Sequence, residues 1–155
     1  MVELEIYELE MEEIIDRFQG ALTQIRTSGA NPNLVSNIEV DYYEMRIVKD
    51  IEKAIVAANI GLTPQNEGTQ IRIVVPPLTE ERRREYALKV KEMGEEAKIA
   101  LRNVRRSAND AVKKDKTIPE DTQKDMLDEI QEMTDDSIKK VEEIAANKSR
   151  DLMKL

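Results

Sequence analysis

The chain has 155 residues and carries 24 Lys+Arg against 32 Asp+Glu, a formal charge of -8. Cysteine and histidine are both absent, which excludes disulfides, zinc sites built on Cys and His, Ser-His-Asp and Cys-His catalysis, and the Glu-x-x-His pairs of di-iron bundles. Charged residues at 36% with aromatics at only 3% point to long solvated helices rather than a sandwich, in one domain or one domain with a small insert.

The first segment, from about Val2 to Thr27, repeats Leu4, Tyr7, Met11, Ile14, Phe18, Ala21 or Leu22, and Ile25 at alternating steps of three and four, one face of a helix. It is acidic from its start and lacks the basic end and apolar run of a secretory signal. The helix is expected to stop at TSGANPN, 27–33, where Gly29 and Pro32 sit among Ser and Asn.

Residues 30–76 change period. NIEVDYY, 37–43, alternates Ile38, Val40 and Tyr42 with polar residues and is expected to be a strand. IVKDIEKAIVAANIG, 47–61, places Ile47, Ile51, Ala54, Ile55 and Ala58 on one helical face, with Gly61 as the residue just past the helix. GLTPQNEG, 61–68, is expected to be a loop and lacks the pattern of a phosphate cradle. TQIRIVVPP, 69–77, alternates Ile71, Ile73 and Val75 as a second strand. The segment therefore predicts a small α/β insert with a thin core.

After Pro76 and Pro77, Thr79 is the expected N-cap of a long helix, with Glu80 and Glu81 at its positive end. Its seam is Ala87, Val90, Gly94, Ala97, Leu101, Val104, Ala108 and Ala111, small residues that predict close approach by partner helices. A close crossing also accounts for Gly94, which costs roughly 1 kcal/mol relative to alanine. The next helix is expected from about DKTIPED, capped by Thr117 with Pro119 in its first turn. Leu127, Ile130, Met133 or Thr134, Ile138, Val141, Ile144 or Ala145, and Leu152 mark its buried face. At 1.5 Å per residue the three long helices span roughly 40–50 Å each. The expected fold is α+β: an elongated antiparallel three-helix bundle (1–29 and 77–155) with a small inserted α/β domain (30–76). No stretch approaches the roughly 18 apolar residues of a membrane-spanning helix.

One segment departs from the acidic background. LRNVRRSANDAVKKDK, 101–116, holds three arginines and three lysines. Lys91, Lys98, Arg102, Arg105, Asn109 and Lys113 follow at steps of seven, four, three, four and four, one stripe beside the apolar seam, with Arg106 next to it. Such a stripe can neutralise phosphates along a nucleic-acid backbone. The same stripe is also what a solvated helix face looks like, balanced by neighbouring Glu and Asp. Arginine suits phosphate and guanine geometry better than lysine, and 101–106 contains no acidic residue. The last helix, with Glu120, Asp121, Asp125, Asp128, Glu129, Glu132, Asp135, Asp136, Glu142 and Glu143, should repel nucleic acid and so orient the bundle. No carboxylate pair stands out for acid–base work, and neither G-x-x-x-x-G-K-[ST] nor G-x-G-x-x-G occurs, so the chain reads as a non-enzyme.

Taken together, IRT (25–27), ANPNL (30–34), VDYY (40–43), IEKAI (51–55), IGLTPQNEG (60–68), PPLTEERRRE (76–85), GEEAKIALRNVRRSAND (94–110) and the final DLMKL resemble the ribosome recycling factor family. The resemblance runs over nearly the whole chain in the family's order. It implies a three-helix bundle with an inserted α/β domain, and a translation factor that binds the post-termination ribosome and, with elongation factor G, splits it into subunits. It further implies docking on large-subunit ribosomal RNA through Arg102 and Arg105, with Arg106 beside them; Lys98, Asn109 and Lys113 join the expected RNA-binding set through the stripe. A hinge is implied at Arg26, Thr27, Ser28, Gly29, Pro76 and Pro77. The expected protein is a cytoplasmic monomer with no cofactor, no metal and no membrane contact.

Two departures from the family pattern stand out. The family reads R-T-G-R-A where this chain reads RTSGA, so Gly29 replaces an arginine. VDYY also runs through Glu44 and Met45 straight into RIVKDIEKAI, leaving out roughly 25 to 30 residues, enough for several strands of ~5–6 residues. Two alternatives remain: a shortened variant that binds ribosomes without splitting them, and a helical scaffold or adaptor that binds protein.

Overall fold

In the computed structural model, the three-and-four spacing of the first segment becomes helix α1 (Leu4–Thr23), which buries Met11, Ile15, Phe18 and Leu22. The structure describes residues 2–25, 35, 47–59, 61–75 and 77–154. Contacts divide the chain into two units, Met1–Leu22 with Glu81–Leu155, and Thr23–Glu80.

The first unit joins α1 to two longer helices, α3 (Glu80–Lys114) and α4 (Glu120–Met153). Their packing fixes the directions. Leu4 and Tyr7 pack at the level of Ala108, Val112 and Ile130. Farther along, the Ser137 hydroxyl lies 3.8 Å from Met11 Sδ. Farther still, Gly94 faces Phe18 and Ala145. Thus α3 runs antiparallel to both α1 and α4. The short α3–α4 connection matches that arrangement.

The buried seams differ from strict heptad order in an instructive way. Ile15 is buried while Ile14 is only partly covered, and Leu22 is buried while Ala21 is exposed. In α3 the seam runs through Val90, Gly94, Ala97, Leu101 and Ala108 as expected, then passes to Val112, leaving Ala87, Val104 and Ala111 half-buried. An α-helix drifts by roughly 20° per heptad against an exact 3.5 repeat, so a seam of several turns shifts by a residue. In α4 the fully buried positions are Ile130, Thr134, Val141 and Leu152. Thr134 brings a hydroxyl into the core, where its Oγ1 donates to the Ile130 carbonyl at 2.7 Å, satisfying the group by back-bonding within the helix.

Gly94 does sit where three helices meet, but it is not forced by lack of space. A Cβ built there would lie 3.7 Å from both Ala145 Cβ and Phe18 Cζ, ordinary packing distance.

The start of α4 also corrects the sequence reading. Pro119 occupies the N-cap position (φ -59°, ψ 148°) and supplies no side-chain hydrogen bond. Thr117 instead belongs to the connection: its N–H and Oγ1 both donate to Asp115 Oδ1, at 2.9 and 2.5 Å. Proline lacks a hydrogen-bonding side chain, so Glu120 and Asp121 in the first turn supply the favourable charge at this end.

The second unit contains helix α2 (Ile47–Ala58) and a hairpin of β1 (Pro64–Asn66) and β2 (Ile71–Ile73), paired antiparallel with Gln65 opposite Arg72. Strand β1 packs beside α2, and Asn66 Nδ2 donates to Glu52 Oε2 at 3.1 Å. Ile55, Leu62 and Leu78 are buried in this part of the chain. Part of GLTPQNEG is thus a strand rather than a loop. Its Pro-Gln-Asn carries no apolar alternation, and pairing with β2 defines it. The helix ends at Ala58, with Asn59 left-handed at φ 49°, so Asn59 rather than Gly61 is the first residue past α2; Asn tolerates that conformation. The expected strand over 37–43 lies outside the described residues, as do Arg26, Thr27, Ser28, Gly29 and Pro76 of the expected hinge. Pro77 is exposed.

Candidate nucleic-acid interface

The basic stripe of α3 flanks its buried seam, so the two edges of the stripe have different surroundings. The edge nearest the seam meets α4. Lys98 Nζ lies 3.0 Å from Glu95 Oε1 and 3.2 Å from Glu142 Oε1, with its side chain only 16% exposed. The Glu95 hydrogen bond chiefly raises the Lys98 pKa above its ordinary value, against the opposing effect of burial, and Lys98 in turn holds the Glu95 carboxyl below the usual carboxylate range.

Two turns along, Arg105 is half-buried and its Nη1 donates to Gln131 Oε1 at 2.9 Å. Gln131 Nε2 donates onward to Asp135 Oδ1 at 2.8 Å. Arg105 Nε and Asn109 Oδ1 are buried without a hydrogen-bond partner among the described residues. The outer edge is different. Arg102, Arg106 and Lys113 are exposed, and no ion pair engages them among the described residues. Ile99, 55% exposed, lies on the same outward side, three and seven residues before Arg102 and Arg106.

The structure therefore sorts the predicted residues into two groups. Lys98, Arg105 and Asn109 line the seam with α4, and Arg102, Arg106 and Lys113 stand in solvent. Three exposed cations within twelve residues of one helix can engage successive phosphates, and arginine can do so with two parallel hydrogen bonds. On α4 the acidic residues Glu120, Asp121, Asp125, Asp128, Glu129, Glu132, Asp135, Asp136, Glu142 and Glu143 are all exposed, so a polyanion is favoured on α3 and disfavoured on α4. Sequence reasoning missed Gln131, Asp135 and Glu142 as partners of the stripe. Their signal lay in the antiparallel register of α3 and α4, which sets Gln131 beside Arg105 and Glu142 beside Lys98.

A family model described as ribosome recycling factor matches residues 43–153. The chain is 39% identical to the ribosome-recycling factor of Geobacillus sp. (strain WCH70), covering 94% of each chain, and 40% identical to that of Staphylococcus epidermidis, covering 92% of this chain and 93% of the relative. Among solved structures it is similar to a solution structure of the ribosome recycling factor, with TM-score 0.79 and 29% identity over 100% of both chains. It is also similar, at TM-score 0.61 and 31% identity over 97% and 96% of the chains, to a structure described as models for the T. thermophilus ribosome recycling factor and the E. coli elongation factor G bound to the E. coli post-termination complex. The chain belongs to the ribosome recycling factor family. The helical bundle with a small α/β part is that family's fold. The Geobacillus alignment spans 173 residues against the 155 of this chain, so the relative has residues with no counterpart here.

Proposed function

We propose that this protein is a translation factor of the recycling type, which binds the post-termination ribosome and, with elongation factor G, promotes its separation into subunits. Its docking element is the basic face of α3, where Arg102, Arg106 and Lys113 of the outer edge, together with Arg105 of the edge beside α4, meet phosphates of large-subunit ribosomal RNA. The observation that carries this reading is a cluster of exposed cations, without ion pairs among the described residues, on a net-acidic member of this family. Lys98 and Asn109 belong to the supporting edge. The protein acts by binding, as a monomer in the cytoplasm, and performs no bond chemistry of its own. The unit Thr23–Glu80 serves as the lever on which elongation factor G acts, through a hinge at 26–29 and 76–77. None of the described helices is long and apolar enough to cross a membrane.

The test is binding to purified large ribosomal subunits across a salt series. Arg102→Ala with Arg105→Ala should weaken binding and make the plot of log affinity against log salt shallower by about two, near one for each phosphate that is no longer neutralised. An unchanged slope would remove these arginines from the interface. The gap against longer relatives favours one second reading, a variant that binds ribosomes without splitting them. A subunit-splitting assay with elongation factor G and GTP separates the two.

A further inference from the structure

We propose that Gln131 of α4 is a positioning residue for RNA binding, holding the Arg105 guanidinium in its docking orientation without cancelling its charge; this rests on the proposed docking role of Arg105. The geometry is a two-step relay across the α3–α4 seam. Arg105 Nη1 donates to Gln131 Oε1 at 2.9 Å, and Gln131 Nε2 donates to Asp135 Oδ1 at 2.8 Å. The second bond fixes which end of the Gln131 amide faces Arg105. With its nitrogen committed to the carboxylate, Gln131 presents its oxygen, an acceptor, to the guanidinium.

The contrast with Lys98 makes the chemistry specific. Lys98 touches the carboxylates Glu95 and Glu142 directly, so its charge is compensated on the spot. Arg105 faces the same acidic helix α4, yet a neutral amide stands between it and Asp135. Its Nε is also buried with no partner among the described residues. One of its five N–H groups is therefore turned inward and one is held by Gln131, which leaves three N–H groups on Nη1 and Nη2 for a ligand. A guanidinium held in this way reaches a phosphate with much of its side-chain freedom already lost, and so binds more tightly than a free one. Gln131 itself is exposed, so its substitution removes the acceptor without opening the core.

A double-mutant cycle on purified large ribosomal subunits, read across a salt series, tests this. Gln131→Ala should weaken binding by about three- to tenfold, the cost of ordering one long side chain. The salt slope should stay at the parent's value, because Arg105 keeps its charge. In an Arg105→Ala background, Gln131→Ala should cost nothing further. Thermal unfolding of each variant verifies the fold. Parent-like binding by Gln131→Ala, while Arg105→Ala binds weakly, overturns the positioning role. Equal losses from Gln131→Ala in both backgrounds overturn it too. Parent-like binding and slope for Arg105→Ala itself would instead remove the docking role of Arg105, and the positioning role with it.

Discussion

Gly94 shows how a single position separates what spacing implies from what packing permits. Its place in a seam of small residues implied a close crossing of helices at that point. The structure leaves an added Cβ at 3.7 Å from Phe18 and Ala145, a distance that contributes dispersion without strain. Gly94→Ala should therefore stabilise the bundle by about 1 kcal/mol, since glycine inside a helix costs about that much relative to alanine. Thermal unfolding reads this as a rise in Tm. A fall would show that the neighbours cannot keep their positions around a methyl group. At the same scale, the exposed arginines were legible in the sequence because charge and period are local properties. Gln131 was not, since nothing in a lone Gln-x-x-x-Asp spacing says which helix it faces. Only the register of α4 against α3 places it opposite Arg105.

Elements are legible where one face is buried over many turns, and they become ambiguous at their ends. The long helices could be read from apolar spacing because each buries a stripe along its length. The start of α4 could not. Thr117 is a good cap by residue type, but Asp115 draws both its hydroxyl and its N–H into the preceding turn, a local side-chain-to-backbone bond that competes with capping. Strand β1 escapes sequence reading because three residues of Pro-Gln-Asn have no period, and only their partner strand makes them a strand. The Asp115 turn carries a prediction of its own. The hydrogen bonds from Thr117 hold the Asp115 carboxyl below its ordinary pKa. A depressed carboxylate stabilises the fold above its ordinary pKa, and that contribution disappears as pH falls through the lower folded value. Asp115→Asn cannot titrate there, so its deficit against the parent should be largest near neutral pH and should narrow below about pH 4, near the pKa of aspartate in an unstructured chain. Unfolding curves of both proteins between neutral and acid pH measure this; a constant gap would mean that the Asp115 charge contributes nothing.

The whole molecule combines a net charge of -8 with a docking edge that is locally basic, and the two are compatible because 101–109 of α3 carries three arginines and no carboxylate while α4 presents ten exposed carboxylates over 120–143. This segregation also separates two tasks. If docking belongs to the unit containing α3, and the lever to Thr23–Glu80, a change that unsettles the second unit should spare the first. The hairpin offers such a change. Gly68 sits between β1 and β2 with φ +91°, and its N–H donates to Asn66 Oδ1 at 2.8 Å. A β-branched residue strongly disfavours that backbone region, so Gly68→Val should cost roughly 1–3 kcal/mol locally. That is a large share of what the described helix and two three-residue strands of this unit can supply. Binding of Gly68→Val to large ribosomal subunits should stay within about twofold of the parent, because Arg102, Arg105, Arg106 and Lys113 all lie in the other unit. Subunit splitting with elongation factor G and GTP, followed by light scattering, should slow markedly. A parallel loss of binding and splitting would mean that the two units are not energetically independent, and splitting at the parent's rate would mean that the hairpin takes no part in the lever. Slow splitting with intact binding would place the force-bearing element in the unit Thr23–Glu80, and a parent that splits subunits would show that the residues it lacks relative to its relatives are dispensable for recycling.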